Sequence, residues 1–160
     1  MDIQIQPLHI STLNSVIALR DAVFPDLGKY EYETLQACLN PVKHQVHKKL
    51  GIVELAYWTA IDPNTDSLSG LIGLYTENDV EDTVWLGWYC VDPQYRGQKI
   101  GSKLLAFAIN EARKQNKKYL SLYTTADEEY TTARIQYEKI GFAHYKSVKK
   151  NLFYRLALQN

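Results

Sequence analysis

Residues 83 to 112 constrain this chain more than any other stretch. Residues 83–91, TVWLGWYCV, are apolar, aromatic and β-branched, which suits a buried strand. Pro93 has no N–H to give a sheet ladder and disfavours helix at Asp92, so the strand ends there. From Ile100 the apolar residues fall at 100, 104, 105, 108, 109 and 112. That spacing makes a helix with one buried face, leaving Lys103, Glu111 and Arg113 to water. The order is therefore strand, glycine-bearing loop, helix.

The loop is the place for chemistry. The first turn of a helix carries unpaired N–H groups and the positive end of the dipole. Gly97 and Gly101 have no Cβ, so an anion can approach the main chain closely. Arg96, Gln98, Lys99 and Ser102 add donors or charge. A phosphate or diphosphate fits such a loop. An ordinary strand-to-helix turn with a surface Arg and Lys fits the same spacing.

The run Val91-Asp92-Pro93-x-x-Arg96-Gly97-x-x-Ile100-Gly101-x-x-Leu104-Leu105 resembles the acyl-CoA-binding motif of the GCN5-related N-acetyltransferases (GNAT). Their Arg/Gln-x-x-Gly-x-Gly/Ala pattern is matched at Arg96 and Gly101 and departed from at Lys99, where a glycine is usual. Downstream, Ala133-x-x-x-Tyr137-Glu138-Lys139-Ile140-Gly141-Phe142 resembles the family's final helix and the turn after it. The resemblance implies an acetyltransferase with acetyl-CoA as co-substrate, no metal, and direct transfer to a primary amine. The acceptor would be a small molecule or a peptide amine. It implies a diphosphate on the main chain from Arg96 to Ser102, with the pantetheine arm beside Tyr89, Cys90 and Val91. That arm would lie where the strand parts from its parallel neighbour, residues 119–125.

Tyr137 matches a tyrosine that, in many members, faces the thioester sulfur and serves as general acid. An Asn usual seven residues earlier is Tyr130 here, and a strand carboxylate found in many relatives is replaced by Trp85. Glu77, Glu81, Asp82 and His144 are other titratable groups nearby in sequence. Tyr75, Trp85, Trp88, Tyr89 and Tyr123 supply aromatics that could line an acceptor pocket or simply pack. A non-catalytic acyl-CoA sensor and an interaction domain without CoA are the rival readings.

Size and composition set the outer bounds. A chain of 160 residues suits one domain spanning 1–160 with a sizeable core. Lys plus Arg equals Asp plus Glu at 18 each, which argues against a broad nucleic-acid or anionic-membrane surface. Cys38 and Cys90 stand in no metal or redox spacing. The N-terminus has neither the basic nor the apolar region of a signal peptide, and the expectation is a soluble protein of the reducing cytoplasm.

Along the chain, residues 2–8 read as an edge strand, followed by a helix to about Val23 capped by Ser11 or Thr12. Pro25 and Gly28 break the chain before a second helix over 29–39 carrying Tyr32, Leu35 and Leu39 on one face. Residues 42–50 read as a basic segment; His44 and His47 could share a metal if helical, but no third ligand is near. Residues 51–61 and 68–77 form a hairpin, with Asn78-Asp79 and Glu81-Asp82 as a polar turn. A helix over 128–140 has Ala133, Ile135, Tyr137 and Ile140 partly buried, and a closing hairpin turns at Lys149-Lys150. The fold class is α/β (α+β): a GNAT-like mixed sheet of about six to seven strands flanked by about four helices. A free edge at the C-terminal strand could support a homodimer.

Overall fold

A computed structural model gives the fold and describes residues 2–25 and 30–158. Gly28 and the side chains of Tyr32 and His47 lie outside the described ones. The strands are β1 (Gln4–Pro7), β2 (Ile52–Asp62), β3 (Ser67–Glu77), β4 (Val80–Leu86), β5 (Cys90–Val91), β6 (Tyr119–Thr125), β7 (Ala143–Val148) and β8 (Asn151–Ala157). The helices are α1 (Leu13–Val23), α2 (Tyr30–Leu39), α3 (Val46–Leu50), α4 (Ile100–Arg113) and α5 (Thr131–Ile140). The described residues thus form eight strands and five α-helices. The additions to the sequence reading are short: β5, and α3 inside the basic segment.

The strand order is β1-β2-β3-β4-β6-β8-β7, with β5 pairing β3. Every pairing is antiparallel except β4 with β6, which are joined through α4 as the crossover. β1 and β7 are the two edges. The C-terminal strand β8 is interior, so the free edge expected there belongs instead to β7, which carries Lys146 and leads into Lys149-Lys150.

The two sheet faces are covered unequally. α4 buries all six residues of its apolar stripe, from Ile100 to Ala112, against Ile72, Leu74, Val84, Leu86 and Leu120. α5 adds Tyr137 to the same core. On the other face α1 and α2 cover β2, β3 and β5 through Val16, Leu19 and Leu35. Beyond them the sheet face holds Trp85, Tyr123, Tyr145 and Phe153, with Lys146 over Phe153 and Arg155 over Tyr119 and Tyr145. These cations lie 4.1 to 4.7 Å from the ring centres and bring charge to this aromatic surface.

Three local readings are corrected. The stretch 83–91 is not one strand: the ladder stops at Leu86 and resumes at Cys90. Glu81 and Asp82 lie within β4 rather than in a turn, with their side chains exposed. Neither Ser11 nor Thr12 caps α1 through its side chain; a single 3₁₀ turn precedes the helix, and His9 Nδ1 accepts from the Ser11 N–H at 3.2 Å.

Candidate active site

The break between β4 and β5 is a bulge. Leu86 pairs Leu74, but Cys90 pairs Leu71, so β4–β5 uses one more residue than β3 over this span. Gly87 N–H still bonds the Gly73 carbonyl at 2.7 Å. Tyr57 props the bulge from below. Its hydroxyl accepts from the Trp88 N–H at 3.4 Å and meets Thr34 Oγ1 at 3.3 Å. Two glycines make room for it: a Cβ on Gly73 would stand 2.2 Å from the Tyr57 ring, and one on Gly87 2.8 Å from its hydroxyl. Burial pushes the Tyr57 phenol up to about 12, so it stays neutral.

The bulge opens the sheet. β4 and β6 pair only over Thr83–Tyr119, Val84–Leu120 and Trp85–Ser121. Past that point β5 remains with β3, while β6 continues along β8 to Thr125. The strand thus parts from its parallel neighbour. Among the described residues the Tyr89 N–H, in the bulge, has no acceptor.

A cleft of about 1670 Å³ runs through this opening. Arg96, Gly97, Lys99, Ile100, Gly101 and Ser102 line one end, and Tyr89, Cys90, Val91 and Tyr137 the middle. Gln98 is the one residue of the proposed diphosphate loop that does not line it. Tyr75, Trp88 and Tyr123 also line it, whereas Trp85 does not; its ring stacks on Tyr75 with centres 6.5 Å apart. Ile135 and Ile140 are exposed rather than buried, because they too face the cleft.

The loop has the conformation an anion site requires. Asp92 accepts from the Gln94 N–H at 2.9 Å and starts a 3₁₀ turn at Pro93. The Arg96 N–H returns to the Pro93 carbonyl at 3.5 Å. From Gly97 to Ser102, no main-chain N–H has an acceptor among the described residues. Gly97 has φ 81° and Lys99 φ 66°, so the residue standing where the family has its middle glycine takes a left-handed conformation. A main-chain N–H is present at this position whatever the side chain.

Gly101 has a different neighbour from the one its motif suggests. A Cβ there would lie 2.9 Å from the Tyr89 hydroxyl. That hydroxyl donates to the Gly101 carbonyl at 2.7 Å and lies 3.1 Å from Gln136 Oε1. Tyr89 therefore latches the bulge to both α4 and α5, and only its main chain is left to meet a ligand. Burial raises its phenol to about 12. Cys90 is buried, and desolvation pushes its thiol up to about 12, which suits a small apolar residue and not a nucleophile.

Tyr137 is 7% exposed, with its ring 6.4 Å from Tyr89 and 5.6 Å from Phe142. Its hydroxyl has no hydrogen-bond partner among the described residues, and the residue lines the cleft. Burial, with Tyr89 nearby, holds its phenol well above the usual tyrosine value. Tyr130, in the usual Asn position, lines the cleft and packs 6.5 Å from Phe24. His144 sits on β7 with its Nε2 2.9 Å from Ser147 Oγ, and does not line the cleft. Among the described residues no group of three or more His, Cys, Asp or Glu could hold a metal, and no helix is long and apolar enough to cross a membrane.

The model of the acetyltransferase (GNAT) family matches residues 20–142. The chain belongs to that family. GNAT proteins are acyltransferases, and solved structures show the same fold. An acetyltransferase of the GNAT family from Staphylococcus aureus Mu50 is 22% identical, with a TM-score of 0.78 over 99% of this chain and 100% of that one. The PaiA N-acetyltransferase from Thermoplasma acidophilum, in complex with coenzyme A, is 19% identical, with a TM-score of 0.70 over 98% and 99%. The ribosomal-protein-S18-alanine N-acetyltransferase from Escherichia coli is 15% identical, with a TM-score of 0.71 over 99% and 96%. Among curated proteins, no sequence matches.

Proposed function

We propose that this GNAT chain transfers an acetyl group from acetyl-CoA directly to a primary amine. The observation that carries the reading is the run of unpaired N–H groups from Gly97 to Ser102 at one end of a cleft that crosses the sheet. Those donors suit a diphosphate, and Arg96 and Lys99 add positive charge at the same end. The opened edge beside Tyr89, Cys90 and Val91 offers main-chain groups to an amide-bearing arm. The Tyr89 N–H stands ready to donate to the thioester oxygen as charge builds there.

Tyr137 supports the departure of the sulfur. A thiol has an ordinary pKa of about 8.5 and a phenol about 10. The Tyr137 phenol is raised further by burial, so full proton transfer from it alone to a thiolate is uphill. Its role is to donate a hydrogen bond to the sulfur and relay the proton that the amine loses on forming the amide. The new C–N bond forms, the C–S bond breaks, and one proton passes from nitrogen to sulfur.

Two measurements test this. Calorimetry with CoA should show binding, and mass spectrometry of an amine panel incubated with acetyl-CoA should show a product heavier by one acetyl group, with matching thiol release. Firm CoA binding with no product from any amine would favour a sensor. Failure to bind CoA would remove the diphosphate assignment.

A further inference from the structure

The cleft's second end lies on the sheet face away from α4, and its residues suggest what the acceptor looks like. Gly73, Tyr75 and Glu77 alternate along β3 and share that face. Gly73 lets Tyr57 lie across the strand and reach Trp88 at the bulge. Tyr75 comes next, its ring backed by Trp85 and its hydroxyl without a hydrogen-bond partner among the described residues. Glu77 ends the row; it lines the cleft and forms no ion pair among the described residues.

We infer that the acceptor is an extended amine with a second cationic group, and that Glu77 holds that group while the reacting amine lies at the bulge. This rests on the acetyl-transfer reading above. Gly73 is bonded to the bulge, and Glu77 lies four residues further along β3, about 13 Å at strand spacing. Glu77 is therefore too far to take a proton from the reacting amine. It is well placed for a distant charge. Between the two points the floor is phenol rings and hydroxyls, from Tyr57 and Tyr75, with Tyr123 at the side. Such a floor suits an apolar spacer and attracts cations.

The charges along the cleft agree. Its lining cations, Arg96, Lys99 and Lys139, come from the diphosphate loop and α5, and its other carboxylate, Glu129, precedes α5. Burial, with Asp79 beside it, raises the Glu77 carboxyl, in keeping with a negative, partly dry corner. One lining carboxylate at this end suits one distal cation.

The test compares diaminopropane, diaminohexane and diaminodecane with hexylamine. Each is measured as kcat/KM with acetyl-CoA and, separately, as Kd for the CoA-bound protein by calorimetry. A longer diamine should be preferred over hexylamine by about tenfold, the order of a charge-assisted hydrogen bond in a half-buried site. Diaminopropane, too short to span, should show no such preference. Glu77→Gln should bring the diamine-to-monoamine ratio close to one in both measurements, and Glu77→Asp should restore part of it. Equal use of hexylamine and the long diamines by the unaltered protein, or a ratio unmoved by Glu77→Gln, would overturn the inference. The calorimetric ratio decides on Glu77 even if no amine is acetylated, in which case only the transfer reading falls.

Discussion

The two ends of the cleft are built in opposite ways. At the proposed diphosphate end the groups offered to a ligand are main-chain amides within one short loop, Gly97 to Ser102. At the other end they are side chains gathered from α2, β2, β3 and β6: Thr34, Tyr57, Tyr75, Glu77 and Tyr123. An amide donor survives a change of side chain, as Lys99 demonstrates by holding φ 66° where a glycine is usual. A side-chain pocket changes with each substitution. On the proposed reading, the first end can stay constant while the second sets the acceptor.

Substitutions can break that contrast or sharpen it. The largest effect is expected between the two ends, at Tyr137. Tyr137→Phe should lower kcat about a hundredfold, the scale of a lost proton-transfer group, while calorimetry shows CoA affinity unchanged. Because burial raises this phenol, the unaltered enzyme should keep its kcat on the alkaline side up to about pH 10, the ordinary tyrosine value. A fall in CoA affinity equal to the fall in kcat would make Tyr137 a packing residue.

Next comes Gly101→Asp, which should weaken CoA at least about tenfold. Its Cβ would meet the Tyr89 hydroxyl at 2.9 Å, and its carboxylate would oppose the diphosphate. Unchanged affinity in a titration would remove the loop from the binding site.

Gly73→Ala tests the opposite end. With a Cβ 2.2 Å from the Tyr57 ring, that ring must move, at a cost of about 1–3 kcal/mol in denaturant melts. The acceptor KM should rise while CoA affinity holds. Equal losses at both ends would mean that Tyr57 governs the whole cleft through the bulge.

The smallest effect is expected from Lys99→Gly. Relief of the left-handed residue and the added freedom of the unfolded chain oppose each other, so stability should shift by less than about 1 kcal/mol. CoA affinity should fall by no more than about threefold, a surface charge's worth. A much larger fall would assign the binding to the Lys99 side chain and not to its amide.

The same contrast explains what could be read from the sequence. The helix face of α4 was legible because its period is local, and all six residues from Ile100 to Ala112 are buried as spaced. The loop was legible because its glycines and its proline act on their own backbones. The bulge was not, since it depends on Tyr57 fitting against Gly73 and Gly87 from another strand. Glycine inside two neighbouring strands was the available signal. Glu77 stood only as the last residue of the strand over 68–77, beside the polar turn at Asn78-Asp79, and only the shared face with Tyr75 brings it into the cleft. Ile135 and Ile140 broke the burial pattern because a helix facing a cleft keeps apolar residues there without covering them.

On the proposed reading, the free amides of the Gly97–Ser102 run would also tie the lifetime of the molecule to its diet. A ligand taken up by the folded form alone holds it folded by mass action, by about 2.7 kcal/mol at a hundredfold excess over Kd. When acetyl-CoA runs short, such an enzyme would slow down and also be exposed more often to proteolysis, so that its abundance would follow its fuel.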